Sequence, residues 1–317
     1  MRQRSAFWRA PAIAGALVFF TVLLTGCATP QMTALDRWPA SLPGSAQINN
    51  VPFYPQDDYQ CGPAALAMAA NAAGLQLTPD ELVDQVYLPG RKGSLQIEML
   101  ATGRRHGLLT YRIKPNMEAL LREVAAGNPV IVLQNLSFSF APVWHYAVVI
   151  GFDRARNTLT LHSGLTERME MSLFTFERTW ARGNHWAMLT LPPTRLPATA
   201  EPESYAASAA ALERNAPRAA QAAYATALQT WPTHRALWLG AGNTAYMLGQ
   251  LDAALYAYQK LVSLHPGFAD AWNNLAQALL DQGKIPEAAA AISQAIALGG
   301  GRLPRYLDLQ KQIQAKL

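Results

Sequence analysis

Cysteine is nearly absent from this chain: the 317 residues hold two, Cys27 and Cys61. That excludes a disulfide scaffold and a multi-cysteine zinc module. Charge is scarce too, at 15% of residues against 50% hydrophobic, a balance foreign to disordered chains. Lys+Arg 26 against Asp+Glu 21 gives +5; Arg2, Arg4 and Arg9 precede the first acid, Asp36, and removing those three leaves +2. The sequence therefore offers no basic footprint for nucleic acid. No Gly-x-x-x-x-Gly-Lys-Ser/Thr phosphate loop occurs, and no residue pattern calls for a cofactor or a metal. The apolar N-terminal stretch, Ala10 to Leu24, has 15 residues, short of the roughly 20 that a spanning helix needs.

That stretch suits the core of a secretory signal, with the basic segment Met1 to Arg9 before it. It ends in Leu24-Thr25-Gly26-Cys27, which resembles the bacterial lipobox. The resemblance implies cleavage before Cys27 and acylation of that residue; two or more acyl chains hold a protein stably on a bilayer. Ala28 after the cysteine suggests outer-membrane sorting by the same resemblance. The expected location is the bacterial cell envelope, lipid-anchored and facing the periplasm. Residues 1–26 are then the signal and 27–48 a flexible tether broken by Pro30, Pro39, Pro43 and Gly44, with a reach of up to roughly 70 Å at about 3.5 Å per residue.

With Cys27 acylated, Cys61 is a lone thiol in an oxidising compartment, which asks for a reason. A small buried hydrophobe is the plain explanation. The local sequence offers a sharper one. Pro63 suits a first helical turn, Ala64 to Ala73 is strong helix former and Gly74 is a fitting stop. Cys61 thus sits at a helix N-terminus, where unpaired N–H groups and the dipole favour a thiolate. Of the six histidines, His145 is the best placed partner: it opens the apolar strand Ala147 to Ile150, and Gly151 with Asp153 to Asn157 turns the chain into a second strand, Thr158 to Leu161.

Gln56 through Leu66 and His145 through Asp153 resemble the bacteriocin-processing (double-glycine leader) cysteine peptidases and their stand-alone relatives. The resemblance spans roughly residues 49–192 and implies an α+β papain-like fold, a Cys-bearing helix packed on an antiparallel sheet that carries the His. It implies Cys61 as nucleophile, His145 as general base and then acid, and the Gln56 side chain with the Cys61 N–H as oxyanion donors; Gln60 is a rival for that donor. The family orients its His with an Asp about 16 residues on, whereas here Leu159-Thr160-Leu161-His162-Ser163-Gly164 contains no acid. Ser163, His162 and Asn135 are the candidates for that place. A neutral group can hold the ring but stabilises imidazolium less than a carboxylate does. The substrate implied is a peptide or protein.

The rest of this region reads as scaffold. Thr78 to Glu81 is a capping box opening a helix to Val86; Arg91 to Ser94 is a turn before a helix near Leu95 to His106; Asn116 caps Met117 to Ala126. Val130 to Gln134 and His185 to Leu191 are strands, and Ser172 begins a short helix ending near Trp180. Arg104, Arg105 and Arg112 are expected on a solvated face. Phe138 to Trp144 is either core or the wall of a substrate groove.

Residues 193–203 form a proline-rich linker. Beyond it the chain repeats at 34 residues: Trp238 recurs as Trp272, Gly249 as Gly283, Pro232 as Pro266, and Ala220, Ala254 and Ala288 align, as do Tyr224, Tyr258 and Ile292. This is the tetratricopeptide spacing. Three repeats over 204–300 and a capping helix over 301–317 are expected, forming an all-α domain that binds a protein or peptide partner. Asn243, Asn273 and Asn274 are candidates for its groove.

Overall fold

The structure, a computed structural model, describes residues 29–35, 37–56 and 60–316. Residues 1–28, which hold the expected signal sequence and Cys27, lie outside the described residues. In chain order the elements are α1 (Pro30–Ala34), β1 (Ser45–Gln47), α2 (Cys61–Ala72), α3 (Pro79–Val86), β2 (Tyr87–Leu88), β3 (Gly93–Ser94), α4 (Gln96–Arg105), β4 (Leu109–Arg112), α5 (Met117–Ala125), β5 (Val130–Asn135), β6 (Trp144–Asp153), β7 (Thr158–Ser163), β8 (Thr166–Ser172), α6 (Leu173–Ala181) and β9 (Ala187–Leu191). Seven helices follow: α7 (Pro202–Ala210), α8 (Pro217–Thr230), α9 (Arg235–Met247), α10 (Leu251–Leu264), α11 (Ala269–Asp281), α12 (Ile285–Leu298) and α13 (Leu303–Gln314).

The N-terminal domain is α+β. Its antiparallel sheet runs β4-β9-β5-β6-β7-β8, with β1 also paired to β6. β5 pairs with β6 as far as Val130–Val149, and β1 takes up the rest of that strand at residues 151–153. α2 packs on the sheet. Its residues from Gly62 to Ala70 are all buried, because alanine on every side lets strands and helices approach closely. At Gly62 even an alanine would overlap the Ser94 hydroxyl, so the helix start lies tight against β3.

Local signals form where they were expected. Thr78 and Glu81 make a reciprocal capping box, Asn116 accepts from the Ala119 N–H, and Ser172 accepts from the Thr175 N–H. Three local expectations are corrected. His185 is not in a strand: its φ of 50° puts it in a turn, and β9 begins two residues later. Arg91 to Ser94 is not only a turn, since Gly93–Ser94 pairs with Tyr87–Leu88. Arg104 and Arg105 are not simply solvated, because they bond Thr110 Oγ1 at 2.8 Å and the Gln85 carbonyl at 3.0 Å, fastening α4 to its neighbours.

The flexible tether is also corrected. Met32, Leu35 and Leu42 are buried in the domain core. The buried carboxylate of Glu177 accepts the Gln31 and Met32 N–H groups at 2.9 and 2.8 Å, and β1 joins the sheet. The described residues up to Gln47 are therefore part of the folded body. A reach of tens of ångströms does not apply to them.

The proline-rich linker is likewise docked. Glu123, fully buried on α5, accepts the Ala198 N–H at 3.1 Å, the Thr199 N–H at 2.7 Å and the Asn128 Nδ2 at 2.6 Å. The Glu201 N–H donates to Tyr111 Oη at 3.2 Å. Tyr205, Ala206, Ala209, Tyr224 and Leu237 share one hydrophobic cluster with the sheet domain, and a second cluster begins at Ala245.

The helical region stacks as antiparallel pairs. Trp238 Nε1 donates to the Pro232 carbonyl and Trp272 Nε1 to the Pro266 carbonyl, the same bond one repeat apart. Gly249 and Gly283 hold equivalent left-handed turns, with φ of 73° and 75°. Gly240 and Gly242 let the Tyr224 and Tyr258 rings lie directly against α9.

Candidate active site

Cys61 is the first residue of α2 and is partly buried. Its sulfur faces the backbone N–H groups of Tyr146, Gly62 and Cys61 itself. The Tyr146 N–H is available because the registered pairs between β6 and β7 stop at Val148–His162, leaving the beginning of β6 open on that side. The helix N-terminus fills this opening, so the thiol lies against the residue that follows His145.

Burial governs the charge state of both groups. It pushes the Cys61 thiol above its ordinary value, with the three N–H groups opposing. It pushes the His145 imidazole down to about 4. Against the thiolate expected at a helix N-terminus, burial favours the neutral thiol at Cys61 and the neutral imidazole at His145. Burial also raises Tyr146, and the neighbouring Cys61 adds to that.

His145 Nε2 lies 2.9 Å from Ser163 Oγ. The contact leaves Nδ1 free of that bond. His162 points the other way, as alternation along a strand requires. Its Nδ1 accepts the Arg168 N–H at 3.2 Å, which places the proton on Nε2, 3.2 Å from the Val51 carbonyl oxygen, and its ring packs on Phe53. Both ring nitrogens of His162 are occupied in scaffold contacts. Asn135 is occupied too: Oδ1 accepts the Ser137 and Val143 N–H groups at 3.0 Å, and Nδ2 donates to the Phe138 carbonyl at 3.3 Å. It shapes the loop before His145 rather than touching the ring.

Gln56 is buried, and neither atom of its amide has a hydrogen-bond partner among the described residues. Leaving such an amide unmatched costs about 1–3 kcal/mol, so its position asks for a ligand or a function. Its backbone N–H donates to the Gly164 carbonyl at 3.2 Å, tying it to the turn that follows Ser163. Gln60 directly precedes α2, and its side chain makes no capping bond there.

The backbone contacts to Tyr146 and Gly164 were invisible in the sequence, since main-chain groups carry no residue signal. Glu123 could have been noticed as an acid among Leu120, Leu121 and Val124 on an otherwise apolar face. Among the described residues, no group of three or more His, Cys, Asp or Glu is placed to hold a metal, and no helix is long and apolar enough to cross a membrane.

Comparison with known proteins agrees with this architecture. Residues 48–188 match the Peptidase_C39 like family, and residues 205–268 and 245–313 match two tetratricopeptide repeat families. The chain thus joins a Peptidase_C39-like domain to tetratricopeptide repeats. No curated protein matches it. Among solved structures, one from Bacillus anthracis, described as a C39-like peptidase, is 18% identical; the match covers 47% of this chain and 98% of that one, with a TM-score of 0.39. The type III secretion translocator chaperone SycD of Yersinia enterocolitica is 18% identical over 36% of this chain and 83% of its own, with a TM-score of 0.34. The same chaperone in complex with a peptide of the translocator YopD matches over 36% of this chain and 92% of its own, at the same identity and TM-score.

Proposed function

We propose that the chain is a cysteine peptidase of the cell envelope, held on a membrane by acylated Cys27, whose repeats bind a protein or peptide partner. The carrying observation is the placement of the Cys61 sulfur against the Tyr146 N–H, one residue from His145. In the reaction, His145 Nδ1 takes the thiol proton as sulfur attacks the peptide carbonyl carbon. The oxyanion forms toward the Cys61 N–H and the Gln56 amide, which is why an unpartnered buried amide is useful there. Collapse breaks the C–N bond, and the imidazolium returns its proton to the leaving amine. Water, deprotonated by the same imidazole, then hydrolyses the thioester. Ser163 accepts from Nε2–H and fixes the tautomer that leaves the Nδ1 lone pair toward sulfur.

A second reading is favoured by a specific observation: the group beside Nε2 is a neutral hydroxyl, which does little to stabilise imidazolium. On that reading the domain holds peptides without turning them over. The full chain in lipid nanodiscs, given a proteome-derived peptide library with products read by mass spectrometry, separates the two. The peptidase reading expects cleavage that disappears in Cys61→Ala and His145→Ala. Capture of intact peptides with no cleavage by the wild type favours the binding reading. Cleavage that persists in Cys61→Ala refutes the assigned nucleophile. Incorporation of labelled palmitate, lost in Cys27→Ser, tests the anchor.

A further inference from the structure

We infer that the loop from Leu136 to Trp144 is a specificity element that selects peptides carrying bulky apolar side chains beside the reacting bond; this rests on the peptidase reading. Phe138 and Phe140 are 67% and 86% exposed, and Val143 and Trp144 are each more than half exposed. Such residues are ordinarily buried, and a contiguous exposed apolar patch marks an interaction site.

The loop is built to display them. Asn135 at its base makes three hydrogen bonds into it, Phe138 and Ala141 pair across it, and the Phe138 and Phe140 rings stack at 5.3 Å with 9° between planes. Arg182 Nε donates to the Asn135 carbonyl at 3.1 Å and braces the base from outside. The aromatic side chains thus stand in fixed positions before any ligand arrives, which lowers the ordering cost of binding.

Continuity with the reacting groups commits the surface to substrate. The loop runs directly into β6 at Trp144, and Val143, two residues before His145, lies on the imidazole's side of the alternation. Leu165, 76% exposed, follows Ser163 and Gly164 on the turn whose Gly164 carbonyl accepts the Gln56 N–H. No Asp, Glu, Lys or Arg occurs between Leu136 and Phe152. A charged residue next to the reacting bond would find no partner on this loop, whereas Phe, Leu, Ile or Trp would lose water against it. Covering one such side chain fully corresponds to about tenfold or more in binding.

The test uses the full chain in nanodiscs and the same peptide library, with the exposed pair changed in Phe138→Ser/Phe140→Ser. Capture is read on a Cys61→Ala background and cleavage on the native thiol. Captured peptides are expected to be enriched in bulky apolar residues, with retention falling about tenfold in the double variant. Loop-dependent apolar capture without any cleavage would refute the peptidase reading and, with it, the placement beside a reacting bond, leaving only the loop's apolar selectivity. Capture with no apolar enrichment, or unchanged in the double variant, overturns it whether or not cleavage occurs. Binding of no peptide, with tryptophan quenching by brominated lipid that is lost in Trp144→Phe, would assign the loop to the bilayer and also overturn it.

Discussion

Ser163 presents its hydroxyl oxygen 2.9 Å from Nε2 of His145, where a carboxylate would have held the imidazolium far more strongly. The contact does nothing to offset burial, which favours the neutral form of both Cys61 and His145.

With its pKa above the ordinary 9.0, Cys61 is expected to react slowly with iodoacetamide at pH 7 and to accelerate only on the alkaline side. Ser163→Asp places a negative charge beside Nε2, favours the protonated ring and through it the thiolate. The midpoint of the labelling curve should fall by about 1–3 pH units. An unchanged curve would mean that residue 163 and the thiol are not coupled through His145.

Acid stability should carry the signature of the buried imidazole. In the unfolded chain His145 takes a proton near pH 6.5, whereas the folded site resists until about 4. Between those values the unfolded state binds more protons, so stability is lost as pH falls through that window, by up to about 3 kcal/mol. Urea midpoints measured from pH 7 to pH 4 should drop less steeply in His145→Asn than in the wild type.

Glu123 should hold the two domains together. Glu123→Ala strands the Ala198 and Thr199 N–H groups and the Asn128 amide in a buried place. Losing several such bonds is expected to cost about 3 kcal/mol. Limited proteolysis should then cut within residues 193–201, which the wild type protects. Equal protection in both forms would show that the hydrophobic contacts of Tyr205 suffice alone.

In the repeats, Gly240→Ala and Gly242→Ala should destabilise by about 1–3 kcal/mol, since each new methyl would overlap a tyrosine ring packed on α9. Gly267→Ala is the control, with open space around it. Denaturant unfolding followed at the helical signal distinguishes them.

What could be read from the sequence was local. Pro63 and the alanine run specify α2 and hence the position of Cys61; Thr78 with Glu81 and Asn116 specify their caps; the 34-residue recurrence of tryptophan, glycine and proline specifies the stacked pairs. What could not be read depends on distant partners. Residues 30–34 look like a tether until Glu177, 145 residues beyond Met32, is found accepting their N–H groups. The linker looks loose until Glu123 is placed beneath it. The sign of the dipole at Cys61 follows from its place on α2, but the burial that raises the thiol is a property of the finished core.

The shared core beneath Tyr205 and Leu237 gives the molecule a fixed span. A ligand seated in the helical array would meet the thiol along one set direction, as a workpiece held in a jig meets the blade, instead of searching the volume that a loose joint would sweep. On the proposed function, the number of residues between the gripped segment and the severed bond would then be a measured length, written into the protein's shape.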